Sequence, residues 1–353
     1  MYFSFSLPML ENGQNIQRDP GPSSFRTASH CSVINLLWTF CSRVFWEKPL
    51  LRPSLVAEQA HAGELPEAFR LVFKHVSDRE RPARVNNALK LVREKELDPA
   101  GVWVVRGRSG LLGAMVCMPV PGASALVWPP QASLADGKQI EDALLRAALG
   151  WVRQRGARLA QTLLAPGEVA LAAPIERNGF THITQLWYLK HDLGLPPELL
   201  QPSRELRYLN YTQCDRTLFH QTLLATYEGT EDCPEVNGVR TLDEIIEGHE
   251  AQGVHDPRRW WLAFDGDQAA GVLILCELAD WPGWDISYLG IVPAQRRRGI
   301  GKELTRKAIG DAQAARASQL TLSVDKRNRP AWQLYRGLGF EIFDRREVYL
   351  AIW

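Results

Sequence analysis

The stretch Leu289-Gly-Ile-Val-Pro-Ala-Gln-Arg-Arg-Arg-Gly-Ile-Gly301 decides how this chain of 353 residues is interpreted. An apolar strand pattern ends at Val292-Pro293, a basic turn follows, and a helical pattern begins directly after it. Such a turn brings unpaired backbone N–H groups and the positive end of a helix to one point, where phosphate binds. Gly299 and Gly301 let the main chain approach a ligand without an intervening Cβ atom. The stretch predicts a phosphate site; the alternative is a solvated basic turn before an ordinary surface helix.

The spacing of these residues separates the turn from two other phosphate motifs. No Gly-Lys-Ser/Thr follows, so it is not a Walker loop, and the glycines lack the spacing of a dinucleotide-binding fingerprint. The turn resembles the acetyl-CoA-binding motif of the GNAT N-acetyltransferase superfamily, Arg/Gln-x-x-Gly-x-Gly/Ala, with Arg296, Gly299 and Gly301 at the fixed positions. The resemblance continues into the family's N…A…Y…GF segment, which is matched by Asn328, Ala331, Tyr335, Gly339 and Phe340.

The resemblance also implies how acetyl-CoA binds. In the family, the fourth strand of the domain diverges from the fifth, pantetheine lies in the gap, and the turn holds the pyrophosphate. The amides of residues 297–302 are then the pyrophosphate ligands, and Asn328 either bonds to the cofactor or caps the next helix. The implied cofactor-binding residues are Leu289, Ile291, Val292, Arg296, Arg297, Arg298, Gly299, Ile300, Gly301, Lys302 and Asn328.

Three residues are candidates for acid and base. Amide formation needs a neutral amine to attack the thioester and a proton for the leaving thiolate. Tyr335 stands where the family often places the proton donor; the alternative is a half-buried tyrosine with a satisfied hydroxyl. Asp285, at the start of the fourth strand, and Glu277, expected across the same cleft, are candidate bases. Each is alternatively a solvated strand-end carboxylate, and a water chain without a single base also stays open.

Two further features are candidates for the acceptor side. The loop Glu228-Gly-Thr-Glu-Asp-Cys-Pro-Glu235 carries four acidic residues that can attract a cationic amine, or it is simply a solvated loop. Trp281 and Trp284 flank a Pro-Gly turn and can wall the acceptor pocket.

The chain repeats one order of elements twice, which predicts two tandem GNAT-like α/β domains, each a mixed sheet flanked by helices. We expect a disordered extension over residues 1–62, a degenerate domain over 63–193, a proline-rich linker over 194–203 and the catalytic domain over 204–353. In the first half, the turn Trp128-Pro-Pro-Gln-Ala-Ser-Leu-Ala-Asp-Gly137 has no arginine and no Gly-x-Gly, and Ile175 stands in place of Tyr335. We therefore expect only the second half to bind acetyl-CoA. The tandem layout resembles mycothiol-synthase-type GNAT proteins, although no residue fixes that substrate.

Composition excludes several other classes. The chain is 45% hydrophobic and 23% charged with a net charge of +1, which argues against a general affinity for nucleic acid or anionic membrane. No cysteine or histidine spacing fits a zinc site, so we expect no metal. The apolar run from Val33 to Trp46 is too short and polar to span a bilayer and does not fit a signal peptide, which predicts a cytoplasmic protein.

The sequence therefore predicts an acyltransferase that moves an acetyl group from acetyl-CoA to an amine by direct attack, without a covalent enzyme intermediate. The amine belongs to a small molecule or a protein, and the oligomeric state stays open. The alternatives are a non-catalytic acyl-CoA-binding sensor and a regulator that binds another phosphate ligand.

Overall fold

The computed structural model of the protein describes residues 55–133, 137–194, 203–279 and 282–353. The predicted extension lies outside these residues except for its last eight, and the predicted linker lies outside them except for its two ends. Ala57–Gln59 already form a strand that pairs with Val102–Arg106, so the described fold begins ahead of the predicted boundary at residue 63.

The described residues contain eight α-helices and twelve β-strands, and the first strand lies within the predicted extension. The helices are α1 (Leu65–Val72), α2 (Arg81–Arg93), α3 (Lys138–Gln154), α4 (Ala172–Arg177), α5 (Arg216–Tyr227), α6 (Leu242–Glu250), α7 (Ile300–Ala314) and α8 (Arg329–Gly337). The strands are β1 (Ala57–Gln59), β2 (Val102–Arg106), β3 (Leu111–Val120), β4 (Ser124–Ala132), β5 (Leu159–Leu164), β6 (Thr181–His191), β7 (Arg207–Asn210), β8 (Trp260–Asp265), β9 (Gln268–Glu277), β10 (Trp284–Ile291), β11 (Leu320–Asp325) and β12 (Glu341–Ile352).

All the described strands belong to one mixed sheet, in the order β1-β2-β3-β4-β5-β12-β6-β11-β10-β9-β8-β7. The last strand of each half lies inside the other half: β12 pairs with β5, and β6 pairs with β11, while β6 and β12 pair with each other in the middle. The α/β class and the mixed sheet are confirmed. The exchange of the last strands was not predicted, because element order does not say which neighbour a strand takes.

The fourth strand of each half diverges from the fifth after three parallel pairs. In the second half these pairs run from Trp284 with Leu320 to Ile286 with Leu322, and a bulge at Ser287 follows. In the first half they run from Ser124 with Leu159 to Leu126 with Gln161. Both halves therefore have the V-shaped gap that the resemblance implies.

The helices divide between the two faces of the sheet, which we call the front face and the back face. On the front face α1 and α2 pack on the first half, and α5 and α6 on the second. On the back face α3 and α4 pack on the first half, and α7 and α8 on the second. Because side chains alternate along a strand, the register assigns each strand residue to one of these faces.

Among the described residues, no helix is both long enough and apolar enough to cross a membrane.

Candidate active site

The turn that the sequence singled out has an unusual backbone. After a 3-10 turn at Pro293–Gln295, Arg297 has φ +64° and Gly299 has φ +84°, and α7 begins at Ile300. The neighbouring amides of Gln295, Arg296, Lys302 and Glu303 donate to carbonyls of the turn, whereas within the described residues the amides of 297–301 make no such bond. These five amides lie at the positive end of a fifteen-residue helix. We call residues 292–302 the phosphate loop.

The amide of Lys302 does not belong to the available set. It donates to the carbonyl of Gly299 at 3.0 Å, the first bond of the helix. Of the amides of residues 297–302 that the resemblance implied as ligands, those of 297–301 are therefore open.

The Arg296 side chain forms hydrogen bonds with the surrounding backbone. Its guanidinium donates to four backbone carbonyls, those of Ile291 (3.0 Å), Thr226 (3.0 Å), Glu228 (2.6 Å) and Gly229 (3.0 Å). These carbonyls belong to the end of β10 and to the last turn of α5 with its exit, where orphan carbonyls need donors. These bonds fasten the phosphate loop to α5, and the role of Arg296 as a cofactor-binding residue stays a prediction.

The other two arginines differ in their availability. Arg298 donates to the Gln295 amide oxygen at 2.5 Å and lies 3.3 Å from the Asp265 carboxylate. Arg297 is exposed and makes no side-chain bond within the described part of the chain. Of the three consecutive arginines, Arg297 is thus the one whose charge is available to an anion.

The residues predicted to line the gap lie around it. Leu289 and Ile291 are half-buried against the back-face core, and the amide of Val292 donates to the Ala270 carbonyl at 3.0 Å. A Cβ atom at Gly301 would lie 3.1 Å from Leu334 of α8, so the start of α7 approaches α8 closely.

Tyr335 lies on α8, with its ring buried against Phe340 at a centroid distance of 5.7 Å. Burial raises the pKa of its hydroxyl, so the proton stays on the oxygen. No described residue forms a hydrogen bond with this hydroxyl, in contrast to Tyr288, whose hydroxyl is 2.5 Å from that of Thr226. Asn328 takes the alternative role, because its side-chain oxygen caps α8 by accepting from the Ala331 amide at 3.2 Å.

Asp285 is 2% exposed and lies on the front face of β10. One carboxylate oxygen accepts from the Thr321 hydroxyl at 2.5 Å, and the other has no hydrogen-bond partner among the described residues. Burial raises its pKa to about 7, partly offset by the Thr321 bond. A carboxylate with such a pKa exchanges a proton near neutral pH.

Glu277 does not share the cleft with Asp285. In β9 it follows Cys276, the residue opposite Asp285, so its side chain points to the back face. There it accepts from Arg259 at 3.0 Å and is 45% exposed. The prediction that both carboxylates face one cleft is wrong.

The two tryptophans do not form the predicted wall. Trp284 is 7% exposed in the back-face core, with Arg259 over its ring at 4.3 Å. Trp281 lies outside the described residues.

Two of the four acidic side chains of the loop, Asp232 and Glu235, are held by specific contacts, whereas Glu228 and Glu231 are exposed. Asp232 accepts from the Asp325 amide at 2.9 Å, and Glu235 pairs with Arg327 at 2.6 Å. The buried Asp325 carboxylate, in turn, accepts from the Arg327 guanidinium and the Cys233 thiol. These contacts join the exit of α5 to the start of α8, and the sequence analysis did not foresee Arg327 or Asp325 because their partners are about 90 residues away.

The first half closes the place where the second half has its phosphate loop. Pro129 and Pro130 continue β4 as far as Ala132, so they lie in the strand and not in the predicted turn. The Lys74 ammonium donates to the Ala132 carbonyl at 2.9 Å, and the rings of Phe73 and Trp128 lie 5.6 Å apart beside it. No row of open amides is formed at this strand end within the described residues.

Comparison with known proteins shows which family the chain resembles. Residues 223–340 match the model of the acetyltransferase (GNAT) family. A mycothiol acetyltransferase of Beutenbergia cavernae is 29% identical over 254 residues, which cover 69% of this chain and 78% of that protein. One of Mycobacterium marinum is 29% identical over 273 residues, covering 66% and 76%. A crystal structure of a GCN5-related N-acetyltransferase from Sphaerobacter thermophilus has a TM-score of 0.55 at 18% identity and covers 85% of this chain and 96% of that one, which shows a common fold.

Proposed function

The chain is an acyltransferase of the GNAT family that transfers an acetyl group from acetyl-CoA to an amine, and on that premise we propose which residues carry out the reaction. The proposal is based on two sets of groups without partners among the described residues: five amides at the phosphate loop and one carboxylate oxygen of Asp285. The first can hold a diphosphate, and the second can hold a proton.

The phosphate loop holds the cofactor. The amides of residues 297–301 bind the pyrophosphate, with Arg297 adding charge beside them. Leu289 and Ile291 flank the pantetheine in the gap beyond Ile286, where β10 has no parallel partner. Arg296 is a positioning residue, because it fixes the loop through carbonyls of α5 and β10.

Asp285 and Tyr335 move the protons. Acetyl-CoA supplies the thioester carbon that is attacked. Asp285, ionised above its pKa of about 7, takes a proton from the acceptor ammonium, directly or through one water molecule. As the new C–N bond forms and the C–S bond breaks, the Tyr335 hydroxyl gives its proton to the leaving thiolate. The nitrogen releases its second proton to solvent as it becomes the amide, and Tyr335 regains a proton from solvent.

We propose a small-molecule amine as the acceptor, of the kind suggested by relatives named mycothiol acetyltransferase. The substrate to test first is mycothiol with its acetyl group removed, beside simple amines and a peptide with a free N-terminus. The first half, closed by Lys74 and two aromatic rings, binds no acetyl-CoA in this proposal.

Replacing Tyr335 by Phe tests the assignment, since it keeps the buried ring and removes only the hydroxyl. We expect kcat to fall about 100-fold, the range typical of a lost general acid, with the Kd for acetyl-CoA unchanged. The measurements are thiol release during turnover and titration calorimetry of binding. The control is Tyr349→Phe, a buried tyrosine packed against the back-face core of the first half. Unchanged turnover in Tyr335→Phe would remove Tyr335 from the mechanism.

A further inference from the structure

A strip of polar side chains crosses the front face of the sheet from β10 to β12. In one row, Asp285 of β10 lies opposite Thr321 of β11, which lies opposite Lys190 of β6. The next row on the same face holds Ser323 of β11, Tyr188 of β6 and Asp344 of β12. Polar side chains in the middle of a sheet face are unusual, because such positions ordinarily belong to the core. The strip therefore lies where something other than a helix contacts the sheet.

Tyr188 packs against the buried cluster that includes Leu186, Val236 and Val348, but its hydroxyl has no partner there. It is half-buried, its ring lies 6.3 Å from that of Phe343, and no described residue forms a hydrogen bond with its hydroxyl. Its neighbour Asp344, in contrast, is paired with Arg346 at 2.6 Å. Burial and nearby carboxylates raise the pKa of Tyr188, so its hydroxyl is a neutral donor.

The register places Tyr188 within reach of a molecule bound at Asp285. The two residues are two strands and one row apart, which is about 12 Å between their backbones. Their side chains project from the same face, and the Asp285 carboxylate has a buried oxygen without a partner among the described residues. A small molecule whose amine lies at Asp285 then brings a second polar group to Tyr188.

We propose that Tyr188, a residue of the first half, binds the acceptor of the second half by donating a hydrogen bond to one of its oxygen atoms. This inference rests on the proposed function and makes it more specific: the acceptor is an amine with a hydroxyl or carbonyl oxygen several bonds from its nitrogen. The exchanged strand β6 is what brings Tyr188 there, because it lies between β11 and β12 of the second half.

Replacing Tyr188 by Phe tests this directly in the full chain. With des-acetylated mycothiol, or the amine of the panel that reacts fastest, we expect KM for the amine to rise about five- to tenfold, as for one lost hydrogen bond. Since Tyr188 touches neither the thioester nor the phosphate loop, kcat and KM for acetyl-CoA stay within twofold. A simple monoamine without oxygen atoms serves as a second probe, and its KM does not change.

Matched variants separate the possible outcomes. Tyr349→Phe removes a hydroxyl from a strand residue that faces the back core, and it leaves all constants unchanged. An equal rise of KM in both tyrosine variants, or no rise in Tyr188→Phe, overturns the inference while the proposed function stands. A wild-type chain that binds acetyl-CoA but acetylates no amine of the panel overturns the proposed function and the inference with it.

Discussion

The two halves of the molecule have the same order of elements and the same divergence of the fourth strand from the fifth, yet they end that strand differently. In the second half the chain turns through two residues with positive φ and exposes five amides in front of a helix. In the first half, β4 continues through two prolines and its last carbonyls are occupied by Lys74. The gap between strands is thus common to both halves, whereas the open amides belong to the loop at the end of one strand.

The comparison also shows what the first half contributes. It supplies β6, which completes the sheet of the second half, and its β3–β4 hairpin contacts α6. There the Gly122 amide donates to the Glu247 carboxylate at 3.2 Å. Arg158, directly before β5, pairs with Glu244 of α6 at 2.8 Å. The first half thus contributes a strand and contacts to the half that carries the phosphate loop.

The largest expected effect comes from separating the halves. The fragment 203–353 lacks β5 and β6, so β12 loses both of its neighbours and β11 loses one, and the buried cluster of Leu159, Leu186, Val348 and Leu350 is divided. The free-energy cost of the unpaired backbone groups and the exposed apolar side chains then exceeds the free energy of unfolding of an ordinary domain. We expect no cooperative thermal transition and no acetyl transfer.

Co-expression of fragments 55–194 and 203–353 is the control for this experiment. The exchanged strands can then pair between the fragments, and we expect acetyl transfer to return. Circular dichroism melting and an acetylation assay report both results. A lone second half that melts cooperatively and works at the full rate would contradict the exchange of strands.

The next largest effect is expected from replacing Asp285 on the front face of the sheet, compared with replacing a carboxylate on the back face. Asp285→Asn keeps the shape and removes the base, so kcat falls about 100- to 1000-fold at pH 7.5. The wild-type rate rises as pH increases through about 7, because ionised Asp285 accepts the proton, whereas the variant shows no such rise. Glu277→Gln, on the back face of the adjacent strand, is the matched control and changes kcat less than threefold. Equal losses in both variants would contradict the assignment.

Asp285→Asn is expected to lower activity but to remove a pH-dependent loss of stability. The pKa of Asp285 is about 7 in the folded protein and 3.8 in its ordinary state. A raised carboxyl pKa means that folding favours the protonated form, so this contribution to stability is full below about pH 4, decreases as pH rises to about 7, and is constant above that. That difference in pKa corresponds to on the order of 4 kcal/mol. We therefore expect the difference in Tm between the wild type and Asp285→Asn to change in favour of the variant between pH 4 and pH 7 and to stay constant above pH 7.

Local patterns in the sequence predicted most elements and several site positions because their causes are local. The repeated order of elements was recognised because apolar period and turn residues set helices and strands locally. The phosphate loop was recognised because strand, turn and helix are consecutive in the chain. Capping of α8 by Asn328 was one of the two roles that the sequence left open, for the same reason.

What the sequence could not predict depends on residues far apart in the chain. The partners of Arg296 are about 70 residues earlier, so a basic motif alone cannot show that this arginine binds carbonyls of α5. Glu277 was placed with Asp285 because both lie near strand ends, but their faces follow from the register of β9 and β10. Tyr188 was missed because only the exchange of strands brings a residue of the first half beside Asp285.

The smallest of these effects tests the backbone of the phosphate loop. Gly299, at the start of α7, has φ +84°, whereas Gly137, at the start of the equivalent helix α3, has φ −86°. A Cβ atom at Gly299 would meet nothing within 4 Å, so Gly299→Ala acts through backbone strain alone, about 1–2 kcal/mol. That strain turns the loop amides from their positions, and we expect KM for acetyl-CoA to rise about 5- to 30-fold. Gly310→Ala, inside α7 and also free of neighbours within 4 Å, is the control and leaves KM unchanged because alanine favours a helix. If Gly299→Ala binds acetyl-CoA as the wild type does, the left-handed turn is not what distinguishes the second half, and its amides are not the pyrophosphate ligands.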